Sequence, residues 1–96
     1  INENEPLLIE ALGRFLNNLA PVDDNYKHND FSIRTVNMCN DECKNGHAHC
    51  QQTLMGTSEL LPIKDGQLVL GTWQRVLLIE MDRARERKVL VEVMGI

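Results

Sequence analysis

The chain has 96 residues, 43% hydrophobic and 25% charged, the composition of one ordinary folded domain and neither a disordered nor a membrane-spanning chain. Its 14 acidic and 10 basic residues give a formal charge of -4 with no basic face, which argues against nucleic acid or an anionic membrane as partner. A domain this small buries only about 60% of its unfolded surface, so a second subunit, a metal or disulfides are expected to contribute to stability.

Residues 1–96 read as a single domain. Leu8, Leu12, Phe15, Leu16 and Leu19 recur at three- and four-residue steps, with Pro6 in a first turn and Pro21 beyond the end, which predicts an amphipathic helix over about Glu5 to Leu19. From Pro21 to Gly46 the chain is polar and rich in turn-forming Asp-Asn, Asn-Asp and Asn-Gly pairs, a long loop of the kind that carries function. A second, short helix is expected from about His47 to Met55, because Gly56 is the residue preferred just past a helix end.

Beyond Gly56 the period changes. "SELLPI" and "QLVLGTW" flank Lys64-Asp65-Gly66, an Asp-Gly turn signal, and "QRVLLIEM" and "KVLVEVM" flank the charged turn "DRARER". Three or four antiparallel strands follow, and with no βαβ alternation the expected class is α+β, an antiparallel sheet with two helices packed on one side.

The cysteines Cys39, Cys43 and Cys50 are three in number, which suits a reducing, cytoplasmic setting or metal ligation better than a secreted disulfide framework. No apolar run approaches the roughly 20 residues of a membrane span and no signal-type core is present. Ile1 in place of an initiator Met is expected to mark a processed or cut start.

The stretch "NGHAHC" sets His47 and His49 next to Cys50 on the threshold of an apolar run. On a helix, residues two apart point to nearly opposite faces, so only one of the histidines can face a given site, whereas an extended segment would let both chelate together. On the helical reading Cys43, His47 and Cys50 also share a face and form a rival zinc set, without the Cys-x-x-Cys spacing of common zinc modules. Small apolar filler is the plainer role for the cysteines.

His28, in the polar "NYKHND", is free to ligate a metal or contact an anion, although such a histidine is most often solvated. Glu3 precedes the first helix, where a carboxylate favours the positive helix end, so capping alone would explain it. "GTWQ", from Gly71 through Trp73 to Gln74, interrupts the strands; Gly there marks a bulge or a close approach to a ligand, core packing by Trp73 being the alternative. Arg83, Arg85 and Arg87 alternate through the last turn, where alternate residues of extended chain share a face and can clamp phosphate, a solvated turn being the commoner case.

Taken together, "INEN" before a helix, "NYKHND", "NGHAH" with "LMGTS", "LPIKDGQLVLGTWQ" and "EMDRARERKVLVEVMG" resemble, in this order and over essentially the whole chain, the YjbQ family, proteins described as secondary thiamine-phosphate synthase enzymes. The resemblance implies an α+β fold assembled as a homotrimer, with a histidine site for zinc or a similar divalent metal. His28 and His49 are then the metal ligands, with His47 behind them or incidental. Glu3 and His49 are the implied catalytic residues, Glu3 as an acid/base or anchoring carboxylate, and Arg85, Arg87 and Gln74 are the implied substrate contacts.

The activity implied is the joining of a hydroxymethylpyrimidine diphosphate to a thiazole phosphate with release of pyrophosphate, cationic groups stabilising the leaving group. The opposing reading is a non-catalytic trimeric metal- or anion-binding protein. Family members carry a longer N-terminal part ending in a His-Thr-Thr or His-Thr-Ser strand, so this chain is expected to lack that part and its third histidine. The family's closing hairpin reads Asp-Gly-Pro-Arg where this chain has "DRAR", so the turn geometry is expected to differ.

Overall fold

A computed structural model describes residues 1–96. The first strand, β1 (Asn2–Glu3), leads directly into helix α1 (Pro6–Leu19). Glu5 starts this helix: its carboxylate accepts from the N–H groups of Leu7 at 2.9 Å and Leu8 at 2.7 Å, satisfying donors that a helix leaves open in its first turn. The capping role considered for Glu3 thus belongs to Glu5, because Glu3 is two residues too far back and already paired in β1.

The polar stretch after α1 contains one short 3₁₀ turn, Lys27–Asn29, and runs on to helix α2 (Gly46–Met55). Gly56, at φ 74°, ends α2 in the left-handed region that glycine enters without strain. Two-residue strands β2 (Ile63–Lys64) and β3 (Gln67–Leu68) pair antiparallel around the expected turn, with Asp65 and Gly66 both at positive φ. Strand β4 (Gln74–Arg75) pairs antiparallel with β1, placing Glu3 opposite Gln74 and Asn2 opposite Arg75.

The class is therefore α+β, with two helices and small antiparallel ladders, and it departs from the expected single helix-covered sheet. "QRVLLIEM" enters a ladder only at Gln74 and Arg75, and "KVLVEVM" enters none. A strand exists only through the neighbour that takes its hydrogen bonds, and no segment of this chain forms a ladder with residues 88–94. Their apolar side chains stay exposed, Leu90 at 92%. The helices do not cover a sheet either: α2 packs against the 3₁₀ turn, and Gln51 of α2 donates to the carbonyls of Leu16 and Ala20 at the end of α1.

With a radius of gyration of 17.0 Å, the chain is longer than the roughly 13 Å of a compact domain this size. Burial concentrates at one place. Gly46, His47, Ala48 and Gln51 are the buried residues of α2, and Ala20 joins them from the end of α1. The tightly packed start of α2 is the platform on which the candidate site stands.

Candidate functional site

Three local interactions fix the start of α2. Asn29 accepts the N–H of Gly46 through its side-chain oxygen at 2.9 Å, which clamps the 3₁₀ turn onto the helix. Gly46 permits the approach, since a Cβ there would lie 2.6 Å from Tyr26 Cβ. The buried His47 ring holds the far segment, its Nε2 standing 3.2 Å from the Met81 carbonyl. A carbonyl can only accept, so that nitrogen carries the proton.

Clamping the 3₁₀ turn brings His28 against His49. Their rings meet edge to face, with centres 4.8 Å apart and planes at 78°. His49 and His47 leave the helix on different sides, as a two-residue step requires, so the extended alternative does not occur. His28 and His49 line a cavity of about 280 Å³ together with Arg34, Asn37, Cys39, Glu42, Cys43, Asn45, Arg83 and Arg85.

The charged groups of this cavity are held in pairs. Arg34 stands 2.6 Å from Glu42, Arg83 lies 2.9 Å from Asp41, and Arg85 lies 3.4 Å from Asp82. Asp82 is a hub, also receiving Cys43 Sγ at 3.4 Å and Asn45 Nδ2 at 3.2 Å, and so ties the last third of the chain to the start of α2. Hydrogen bonding from Cys39 and then Arg34 holds the Glu42 carboxyl below the ordinary glutamate value. The same bond, seen from Cys39, pushes its thiol up, and burial with Asp82 does so for Cys43. Both are therefore poor thiolate nucleophiles.

A larger groove of about 630 Å³ lies on the other side of the 3₁₀ turn, lined by Asp23, Asp24, Asp30, Tyr26 and Lys44 among others. It is acidic and open, and Asp30 is already engaged by Ser32, which lowers its carboxyl. The smaller cavity concentrates the histidines and guanidinium groups, and the chemistry follows them rather than volume.

Of the residues singled out from sequence, His28, His49, Arg83 and Arg85 come together here, with Cys39 and Cys43 beside them. Arg87 turns away and grips Glu80 through two bonds of 2.7 and 2.8 Å. Glu3 and Gln74 face each other across β1 and β4, outside the cavity lining, and Gln74 Oε1 accepts the Gly71 N–H at 2.7 Å. Cys43, His47 and Cys50 do not converge: Cys43 points to Asp82, His47 to Met81, and Cys50 is exposed. Sequence reasoning passed over Arg34 and Glu42. The signal was present, since Arg34 is the sole basic residue between His28 and Lys44.

The donor set meets a zinc ion only in part. Two imidazoles adjoin, but no group of three His, Cys, Asp or Glu side chains converges, and zinc takes about four ligands. The lone pair at His28 Nε2 also faces Arg34 Nη1 at 3.3 Å.

The fold and site define a small α+β protein with a histidine- and arginine-lined cavity. It belongs to the family described as UPF0047 protein YjbQ-like, whose model matches residues 1–96. A UPF0047 protein of Archaeoglobus fulgidus is 37% identical over 94 residues, covering 98% of this chain and 66% of that protein. One from Methanothermobacter thermautotrophicus is 34% identical over 95 residues, covering 99% and 59%, and one from Synechocystis is 36% identical over 98 residues, covering 99% and 60%. The chain thus spans 59 to 66% of the length of these curated relatives. No solved structure matches it. No helix is long and apolar enough to cross a membrane.

Proposed function

We propose that this cavity binds the phosphate groups of a small molecule and serves a transferase of the thiamine-phosphate synthase type. The carrying observation is the convergence of His28 and His49 with Arg34, Arg83 and Arg85 around one cavity. In the reaction, the bond between the pyrimidine methylene carbon and the diphosphate oxygen breaks, a bond from the thiazole nitrogen to that carbon forms, and pyrophosphate leaves with the electron pair. Guanidinium groups neutralise the charge growing on the leaving group, and an imidazole N–H donates to its oxygens. Glu3, Gln74 and Arg87 would act from outside this lining.

The working form we propose is a cytoplasmic homotrimer. The bare apolar segment around Leu90 supports association, and the three free cysteines support a reducing compartment. Adjoining imidazoles favour a second reading, a non-catalytic trimer that holds a zinc-like ion or an anion at His28 and His49. Such an ion would have to take His28 Nε2 from Arg34 and find further ligands.

Incubating the protein with hydroxymethylpyrimidine diphosphate and thiazole phosphate tests the catalytic reading, with pyrophosphate release as readout. Turnover that falls at least about ten-fold in Arg85→Ala upholds it. Phosphate binding without turnover leaves the binding reading in its place, and a monomeric mass by light scattering removes the trimer.

A further inference from the structure

Arg34 is held from three sides. Its Nη2 stands 2.6 Å from Glu42 Oε1, both side chains being mostly buried at 14% and 12% exposure. Its guanidinium carbon lies 5.6 Å from the centre of the Phe31 ring. Its Nη1 lies 3.3 Å from His28 Nε2. A guanidinium donates five hydrogen bonds and accepts none, so His28 Nε2 is the acceptor and the neutral ring carries its proton on Nδ1.

We propose that Arg34, braced by Glu42 and Phe31, is a positioning residue that fixes His28 as the Nδ1–H tautomer and so makes this cavity select anions over divalent cations. A metal ion binds imidazole through a lone pair, and neutral His28 has one, at Nε2, where the guanidinium sits. A divalent ion at that nitrogen has to displace a positive charge that Glu42 holds in place. A phosphate does not require this: it meets cationic groups already in place and an imidazole that keeps an N–H to donate. The Nε atoms of Arg34 and Arg83 are buried with no protein acceptor, two further donors whose hydrogen-bonding capacity the protein leaves open.

The inference rests on the reading of this cavity as a ligand site, but not on turnover. Long-range proton–nitrogen NMR of the neutral rings reads the tautomer directly. Zinc alone and inorganic phosphate alone are then titrated while the His28 and His49 ring signals are followed, because the free cysteines offer zinc other sites. In the unaltered protein His28 is the Nδ1–H tautomer. In Arg34→Met it becomes a mixture, zinc binds about ten-fold more tightly at these rings, and phosphate about ten-fold more weakly, the scale of one lost charge-assisted hydrogen bond.

Glu42→Gln removes the brace and keeps the guanidinium, and gives the same changes at smaller size, so the test survives a misfolded Arg34→Met. An unchanged His28 tautomer in both variants with normal phosphate binding overturns the role of Arg34 alone. A tautomer that follows Arg34 without phosphate binding to any form overturns the anion selectivity, and with it the function proposed above. Zinc bound equally tightly by the unaltered protein and Arg34→Met overturns the selectivity as well.

Discussion

His28 and His49 stand edge to face, 4.8 Å between ring centres, although one lies in the 3₁₀ turn and the other in α2, further along the chain. His47, two residues from His49, instead turns into the protein and reaches Met81. The two helix histidines therefore have different jobs. His49→Ala is expected to weaken phosphate binding about ten-fold with little loss of stability, as for one charge-assisted contact. His47→Ala should lower stability by about 1–3 kcal/mol, since it removes a buried side chain and leaves the part-buried Met81 carbonyl unpaired, and keep most of the affinity. Denaturant melts and phosphate titration of both variants check this, and equal losses of affinity would contradict it.

Gly46 lets the Tyr26–Asn29 region close onto α2. A methyl there meets Tyr26 Cβ and Cγ at 2.6 and 2.7 Å, atoms next to the backbone that cannot swing away. Gly46→Ala is expected to cost about 1–3 kcal/mol through overpacking and to separate His28 from His49. Thermal melting gives the first effect, and loss of ring-to-ring nuclear Overhauser contacts gives the second. Gly13→Ala is the control, because nothing lies within 4 Å of its added Cβ.

Acid should loosen the cavity. The carboxyls of Glu42, Asp41 and Glu80 all lie below their ordinary values; the first-named causes are the Cys39 hydrogen bond, the backbone N–H of Asp41 itself and the Arg87 bond respectively. A group lowered on folding contributes stability that is present above the unfolded value and lost as pH falls through the folded one, because the unfolded chain then binds more protons. The loss begins near 4.5, the ordinary glutamate value, and deepens below it. Urea melts at about pH 5.5 and about pH 3.5 should show that drop, and Glu42→Gln should show less of it. An identical pH dependence in the variant would mean that Glu42 is not linked to folding.

Glu42 also governs Cys39, whose thiol it raises by accepting its hydrogen bond at 3.2 Å. Because only the thiolate reacts, Cys39 should be alkylated slowly at about pH 8, and Glu42→Gln should speed it about three-fold or more. Mass spectrometry of the labelled peptide reads the rate. No change in rate would show that the carboxylate does not hold the thiol.

The sequence alone carried the parts of the protein that depend on neighbours a few residues apart. Leu8, Leu12, Phe15 and Leu16 set the period of α1, Gly56 marked the end of α2, and Asp65-Gly66 set the β2–β3 turn, because each is a matter of local dihedral angles and spacing. The two-residue step from His47 to His49 followed from the same helix geometry. The order of motifs identified the family, and the resemblance implied a site of Glu3, His28, His49, Gln74, Arg85 and Arg87, of which His28, His49 and Arg85 line the cavity.

Tertiary structure decided which distant residues share the cavity. Arg34 meets His28 and Glu42 only because the loop folds back, and Asp82 reaches Cys43 and Asn45 across 39 and 37 residues of sequence. The side-chain types were visible, but no period links such positions. Arg87 and Arg85 look alike in an alternating run, and only the position of Glu80 takes Arg87 away. Strand content divided in the same way: apolar alternation in "KVLVEVM" states a preference for extended chain, whereas a ladder requires a second strand beside it, and that is a property of the assembled fold and not of the segment.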